Sequence, residues 1–106
     1  MKIGIIGGGV WGSALARLLS NNQVTIFARD KKVVDSINHH RFNPNLKYST
    51  FNDNVKATID LTELSDSDHL FLALPSQSIR EVLKVFKPRN KNLEVTIASK
   101  GIEINS

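Results

Sequence analysis

The segment that most constrains this chain is a glycine-rich turn close to its amino end. Residues 4–12 read Gly-Ile-Ile-Gly-Gly-Gly-Val-Trp-Gly, and Gly7, Gly9 and Gly12 fit the pattern G-x-G-x-x-G. The apolar run Lys2–Ile6 precedes the motif, and a helical pattern follows it. In this context the first glycine permits a tight turn, the second lets a diphosphate approach the backbone, and the third lets the helix pack on the sheet. The motif therefore predicts a dinucleotide-binding turn.

The glycine pattern by itself leaves alternatives open. A turn of this kind can serve packing alone, or it can hold another adenosine-containing ligand such as FAD or S-adenosylmethionine. In the dinucleotide interpretation, the first N–H groups of the following helix face the diphosphate, and the helix dipole favours its negative charge. The position of the motif, between a strand and a helix, favours that interpretation.

Length and composition limit the classes of protein to consider. With 106 residues the chain forms one domain at most, so we expect residues 1–106 to make a single dinucleotide-binding domain. There is no cysteine, which excludes disulfides and thiolate chemistry. No apolar run reaches the length of a membrane span and no signal peptide is recognisable, so a cytoplasmic protein without a membrane span is expected.

The positive charge of the chain favours small anionic ligands over nucleic acid. The net charge is +4, but the basic residues are dispersed among acidic ones, so no nucleic-acid partner is expected. A net positive domain does mildly favour ligands such as phosphates. Adjacent His39 and His40 point about 100° apart on a helix, so no metal site is expected.

Short apolar runs alternate with helical patterns along the chain. The runs predict five strands, which are Lys2–Ile6, Val24–Ala28, Val55–Ile59, His69–Leu74 and Leu93–Ser99. Such alternation with short connections predicts an α/β fold of the Rossmann type, a doubly wound parallel sheet with strand order 3-2-1-4-5. Ligands then bind beyond the carboxyl ends of the strands, between the first and the fourth.

Three helices are predicted between these strands. The first has an apolar face that consists of Val10, Trp11, Ala14, Leu15, Leu18 and Leu19. The second starts after Asp30, whose side chain suits an N-cap. Ser78 and Glu81 fit a capping box at the start of the third helix, and Asp60 with Glu63 resembles one before a brief helical turn.

Two cationic residues follow strands that border the predicted crevice. Arg29 lies 20 residues after Gly9, where NAD-specific sites place an acid, whereas an arginine can meet the 2′-phosphate of NADP. NADP is therefore favoured over NAD, although the adjacent Asp30 can turn inward instead of capping a helix. Lys100 follows the fifth strand, where it can bond a substrate carbonyl, donate a proton or hold a phosphate. The alternative for Lys100 is a surface lysine in a turn.

Four stretches of the chain are similar to those of one enzyme family. They are Gly7–Ala16, Phe27–Asp30, Leu74–Gln77 and Ala98–Glu103. Together, over essentially the whole chain, they resemble the bacterial-type NAD(P)-dependent glycerol-3-phosphate dehydrogenases. The combination of tryptophan in the loop with Pro-Ser-Gln and Lys-Gly-Ile-Glu is more specific than the glycines alone.

The resemblance implies a reaction and a role for particular residues. The family reduces dihydroxyacetone phosphate to sn-glycerol 3-phosphate with hydride from NADPH or NADH, for phospholipid synthesis. By resemblance, the main chain of Val10 and Trp11 contacts the cofactor phosphates and Arg29 meets the adenosine end. Pro75 is expected near the nicotinamide ribose. Lys100 is expected to contact both cofactor and substrate as the catalytic residue.

Three departures from the family pattern affect these expectations. Val10 replaces a serine that many members carry, so only its N–H can meet a phosphate. The Leu-Pro-Gly turn expected after Asn43 and Pro44 is missing, which leaves the adenine side without its usual cover. The family's second, helical domain is absent after Ser106, so the chain is expected to be an N-terminal fragment that binds cofactor weakly and does not turn over substrate. A stand-alone nucleotide-binding module and a related reductase of the same fold remain alternatives, and a homodimer of the full-length form is left open.

Overall fold

Five parallel strands make the centre of the structure, a computed structural model that describes residues 1–7, 9–43 and 50–97. The strands are β1 (Lys2–Ile6), β2 (Gln23–Phe27), β3 (Val55–Thr58), β4 (His69–Leu72) and β5 (Glu94–Ile97). Their order in the sheet is β3-β2-β1-β4-β5, which confirms the predicted topology. Ile5 of β1 pairs with Ile26 on one side and Phe71 on the other, so β1 is central. The predicted end of the fifth strand, Ser99, lies outside the described residues.

Helices connect the strands on both faces of the sheet. In chain order they are α1 (Val10–Leu18), α2 (Lys31–Asp35) with a π-helical turn directly after it (Ser36–His40), a 3-10 turn (Leu61–Leu64) and α3 (Ser76–Val85). The connection from β3 to β4 contains the 3-10 turn in place of a full helix. None of the helices in the described part of the chain combines the length and the apolar character that crossing a bilayer requires.

The core consists of two apolar layers, one on each face of the sheet. The layer under α1, α2 and the π-helical turn includes Ile3, Ile5, Ala16, Val24, Ile26, Val33 and Ile37. The layer under the 3-10 turn and α3 includes Ile6, Leu64, Leu70, Leu72, Ile79 and Val82. Because both faces are covered, the central strands are nearly continuous apolar runs rather than alternating ones.

The apolar face predicted for α1 is wrong in part. The buried residues of this helix are Gly12, Ser13 and Ala16, and three predicted core residues, Val10, Trp11 and Leu18, are 50%, 44% and 77% exposed. The helix packs on the sheet through its smallest side chains, which lets its axis approach closely. Hydrophobic periodicity ranks residues by apolar character, so it selected the neighbouring, larger side chains instead.

Two predicted helix starts are confirmed, each with an aspartate as N-cap. Asp30 Oδ1 accepts a hydrogen bond from the Lys32 N–H at 2.9 Å at the start of α2. Asp60 Oδ1 accepts from the hydroxyl of Thr62 at 2.7 Å and from its N–H at 3.0 Å, and these bonds lower the pKa of Asp60. Glu63 does not complete a capping box with Asp60. Its carboxylate instead accepts a hydrogen bond from the Thr58 hydroxyl at 2.7 Å.

The capping box predicted for α3 is wrong. The helix begins at Ser76, two residues before Ser78, and its N-cap is Pro75, which makes no side-chain cap bond. The Pro75 carbonyl accepts the N–H of Ser78 at 2.9 Å, so the first turn starts directly after the proline. The early start leaves the Ser78 side chain and the next turn of the helix beside the crevice at the strand ends.

A side-chain network holds the segment that follows the π-helical turn. Arg41 adopts a left-handed conformation with φ of 63°, and its guanidinium donates to the carbonyls of Ile37, Asn52 and Val55. Asn43 is fully buried and donates to the Ser13 hydroxyl of α1 at 2.5 Å. These bonds fix the described ends of the loop of residues 41–54 against β3 and α1. Residues 44–49 of that loop lie outside the described residues.

Candidate functional site

A cavity of 320 Å³ opens at the carboxyl ends of the strands, where the predicted crevice was placed. Its lining comes from the segments after β1, β2 and β4 and from α3, and consists of Gly7, Gly9, Phe27, Ala28, Arg29, Asp30, Val33, Leu74 and Ser78. Small-molecule sites in proteins begin at about this volume. The cavity can therefore enclose part of a dinucleotide while the rest lies along the crevice.

Gly7 occupies the position where the ends of three strands meet. Its N–H donates to the Phe27 carbonyl at 3.0 Å, and its φ of +132° lies in a region that side chains rarely adopt. A Cβ at this position would lie 2.3 Å from the carbonyl oxygen of Ala73. The turn after β1 therefore requires glycine for both its conformation and its packing.

Gly9 and Gly12 differ in what surrounds them. A Cβ at Gly12 would lie 2.0 Å from the Gly7 carbonyl oxygen, so this glycine allows α1 to pack against the turn. A Cβ at Gly9 would have no atom of the described structure within 4 Å. The space over Gly9 is thus open to a ligand that approaches the main chain, as the motif predicts for the second glycine.

The start of α1 supplies backbone N–H groups next to that open space. Gly9 is the N-cap, and the hydrogen-bond ladder of the helix begins with the Ser13 N–H and the Gly9 carbonyl at 3.0 Å. The first amides of a helix lie outside its own ladder and carry the positive end of its dipole. An anionic group above Gly9 would therefore be stabilised by the start of α1.

Arg29 and Asp30, at the end of β2, have different partners. Arg29 lines the cavity and its side chain, 67% exposed, forms an ion pair with Glu81 of α3, with 3.8 Å between Nη2 and Oε2. Asp30 directs its carboxylate to the start of α2, where it is the N-cap. Asp30 also lines the cavity, so the alternative in which its carboxylate reaches a ribose stays a prediction.

The remaining predicted site residues lie at the border of the cavity or outside the described part. Val10 and Trp11 belong to the first turn of α1 without lining the cavity, and half of each side chain faces solvent. Pro75 is exposed where the β4 segment turns into α3, next to the lining residue Leu74. Lys100 and the whole segment 98–103 lie outside the described residues, so its position relative to the cavity stays a prediction.

Two lining residues, Val33 and Ser78, lie outside the stretches that the sequence assigns to the site. Ser78 is assigned there to a capping box. For Ser78 the signal was present, because Pro75 marks an earlier helix start that turns Ser78 toward the strand ends. Among the described residues, no three side chains of the metal-ligating types lie together as an ion would require.

Comparisons of sequence with known proteins point to one family. Residues 2–106 match the family model described as the N-terminus of NAD-dependent glycerol-3-phosphate dehydrogenase. The chain is 42% identical over 106 residues to the glycerol-3-phosphate dehydrogenase [NAD(P)+] of Neorickettsia sennetsu, with 96% of this chain and 32% of that protein covered. It is also 42% identical over 107 residues to the enzyme of that name from Clostridium botulinum, with the same coverage of 96% and 32%.

A solved structure shows the same fold at lower identity. Glycerol-3-phosphate dehydrogenase from Saccharomyces cerevisiae superposes with a TM-score of 0.79 at 19% identity, and the match covers 92% of this chain and 33% of that one. The chain thus spans about a third of the length of the relatives it matches.

Proposed function

Because this chain belongs to the family of N-terminal domains of NAD-dependent glycerol-3-phosphate dehydrogenases, we propose that it binds NAD or NADP in the crevice at the strand ends. The observation that carries the proposal is the open space over Gly9 at the start of α1. A diphosphate placed there meets backbone amides and the positive end of a helix dipole, because glycine has no Cβ at this position.

The chain's residues have distinct tasks in this proposal. The main chain of Val10 and Trp11, at the first turn of α1, holds the diphosphate together with Gly9. Arg29 meets the adenosine end from the rim of the cavity, and Pro75 borders the nicotinamide ribose from the start of α3. When bound, the cofactor supplies a nicotinamide ring that exchanges hydride with a carbonyl or alcohol carbon.

The proposed reaction is the reduction of dihydroxyacetone phosphate to sn-glycerol 3-phosphate. Lys100, which follows β5, is assigned to the substrate carbonyl, where an ammonium group stabilises the charge that develops on oxygen and returns a proton to it. Cofactor binding is assigned to these 106 residues and turnover to the longer enzyme that the relatives represent. A role in phospholipid synthesis and a cytoplasmic location belong to the same proposal, and a homodimer of the full-length form is left open.

Cofactor titration and a turnover assay test the proposal at its two levels. Addition of NADH to the purified chain is expected to give saturable binding, followed by nicotinamide fluorescence. A full-length enzyme that contains these 106 residues is expected to oxidise NADPH or NADH only when dihydroxyacetone phosphate is present. If the chain binds cofactor but the full-length enzyme is inactive with both cofactors, the results would favour a stand-alone binding module. Absence of binding by the chain itself would reject the dinucleotide site.

The variant Arg29→Ala tests the assignment of the adenosine end. We expect the affinity for NADPH relative to NADH to fall about three- to fivefold, because a guanidinium makes charge-assisted bonds to a 2′-phosphate that screening by solvent weakens. Arg89→Ala is the matched control, since Arg89 is an arginine of similar exposure paired with Asp66 at 3.8 Å. Calorimetric titration with both cofactors measures the ratio, and an unchanged ratio in Arg29→Ala would contradict a contact with the 2′-phosphate.

A further inference from the structure

An ion pair joins two walls of the cavity. Arg29 lies at the end of β2 and Glu81 lies in α3, with 3.8 Å between guanidinium Nη2 and carboxylate Oε2. Ser78, one turn before Glu81 on the same helix, lines the cavity together with Arg29. The carboxylate of Glu81 therefore lies beside the cation that is proposed to receive the adenosine end of the cofactor.

The acid next to Arg29 in the chain makes a different contact. Asp30 Oδ1 accepts the N–H of Lys32 at 2.9 Å and caps α2. The acid that faces Arg29 thus comes from another element of the fold, and sequence spacing after the glycine motif cannot find it. In many dinucleotide sites the acid in this region follows the second strand directly.

We infer that Glu81 sets the cofactor preference of this site, because it holds Arg29 and so lowers the affinity for dinucleotides that carry a 2′-phosphate. The inference rests on the proposed function and goes beyond it by naming a specificity-determining residue. Glu81 acts through Arg29 and touches neither the diphosphate nor the nicotinamide in this role, so it is a positioning residue.

Charge arithmetic gives the direction of the effect. A phosphate monoester carries about −1.5 to −2 charges near neutral pH. To bind the guanidinium of Arg29, it must either share that group with the carboxylate of Glu81 or displace the carboxylate. The 2′-hydroxyl of NAD has no charge and gains much less from the freed guanidinium than a phosphate does. Arg29 and Glu81 are 67% and 73% exposed, so solvent screens the pair and the effect is moderate.

The variant Glu81→Gln removes the charge and keeps the shape of the side chain. In the whole 106-residue chain it is expected to tighten NADPH binding about two- to fivefold, with NADH affinity unchanged, and the gain is expected to shrink as salt is raised. Asp66→Asn is the matched control, because Asp66 belongs to an exposed ion pair of the same length that borders a different cavity, at the amino ends of the strands. It is expected to change neither affinity.

A second variant separates an effect through Arg29 from any other effect of Glu81. In an Arg29→Gln background, Glu81→Gln is expected to add no further gain in NADPH affinity. A gain of the same size in that background would overturn the positioning role, as would equal changes for NADPH and NADH. If the wild-type chain binds both cofactors but Glu81→Gln leaves their ratio unchanged, only this inference fails. If the wild-type chain binds neither cofactor, the proposed function and the inference fail together.

Discussion

Gly7→Ala is expected to lower the free energy of unfolding by about 2–5 kcal/mol. Two costs combine at this residue. Its φ of +132° is unfavourable for alanine, and the new Cβ would lie 2.3 Å from the Ala73 carbonyl oxygen, which is backbone and cannot rotate away. Either the turn after β1 or the end of β4 must move.

Unfolding by urea or heat, followed by circular dichroism, measures this effect. For a chain of this size the melting temperature is expected to fall by about 10–20 °C. Gly9→Ala is the matched control, because it adds the same methyl group two residues later, where no atom of the described residues, apart from the chain neighbours, lies within 4 Å. Equal stability losses in the two variants would contradict the packing derived for Gly7.

Gly9→Ala is expected to weaken binding of NADH and NADPH about 10- to 100-fold, the largest binding effect among the variants. The methyl group enters the open space beside the start of α1 and pushes the diphosphate away from the backbone amides. Each charge-assisted bond lost in this way costs about 1.5–3 kcal/mol. Fluorescence titration with NADH gives the change in Kd.

The stability of Gly9→Ala distinguishes a lost ligand contact from a damaged fold. Gly9 has φ of −83° and ψ of −170°, which alanine adopts without strain. Alanine is a poorer N-cap than glycine, so a loss below about 1 kcal/mol is expected. A variant that kept wild-type affinity for both cofactors would show that the diphosphate does not lie over Gly9, and the dinucleotide site would have to be abandoned.

The glycine motif and the order of the strands could be predicted because both depend on local chemistry. The motif combines a buried strand, a turn with glycine at fixed positions and the beginning of a helix, all within a few residues of one another. The strand order follows because the connections between parallel strands have one preferred hand. The contacts around Gly7 and Gly12 match the tight turn and the close helix packing that the motif predicts. Asp30 could be identified as an N-cap for the same reason, since its partner, Lys32, is two residues away.

The details that sequence reasoning missed depend on tertiary packing. The side of α1 that meets the sheet is chosen by the close approach at Gly12, so Ser13 and Ala16 are buried while Leu18 is exposed. The pairing of Arg29 with Glu81 depends on where α3 begins, which the Ser78 capping box placed two residues too late. The buried side of α1 cannot be found from hydrophobic periodicity, because it is decided by the distance between elements, whereas Pro75 marks the true start of α3 in the sequence itself.

The cavity has walls from three separate crossover segments, so it exists only while the sheet is assembled. Gly7 follows β1, Arg29 follows β2 and Leu74 follows β4. An unfolded chain cannot offer these groups together, and a dinucleotide that occupies the cavity therefore binds the native state alone. At a free concentration one hundred times Kd, such linkage adds about 2.7 kcal/mol to the stability of the domain. In a cell rich in nicotinamide nucleotides, the abundance of the folded domain would follow the cofactor supply.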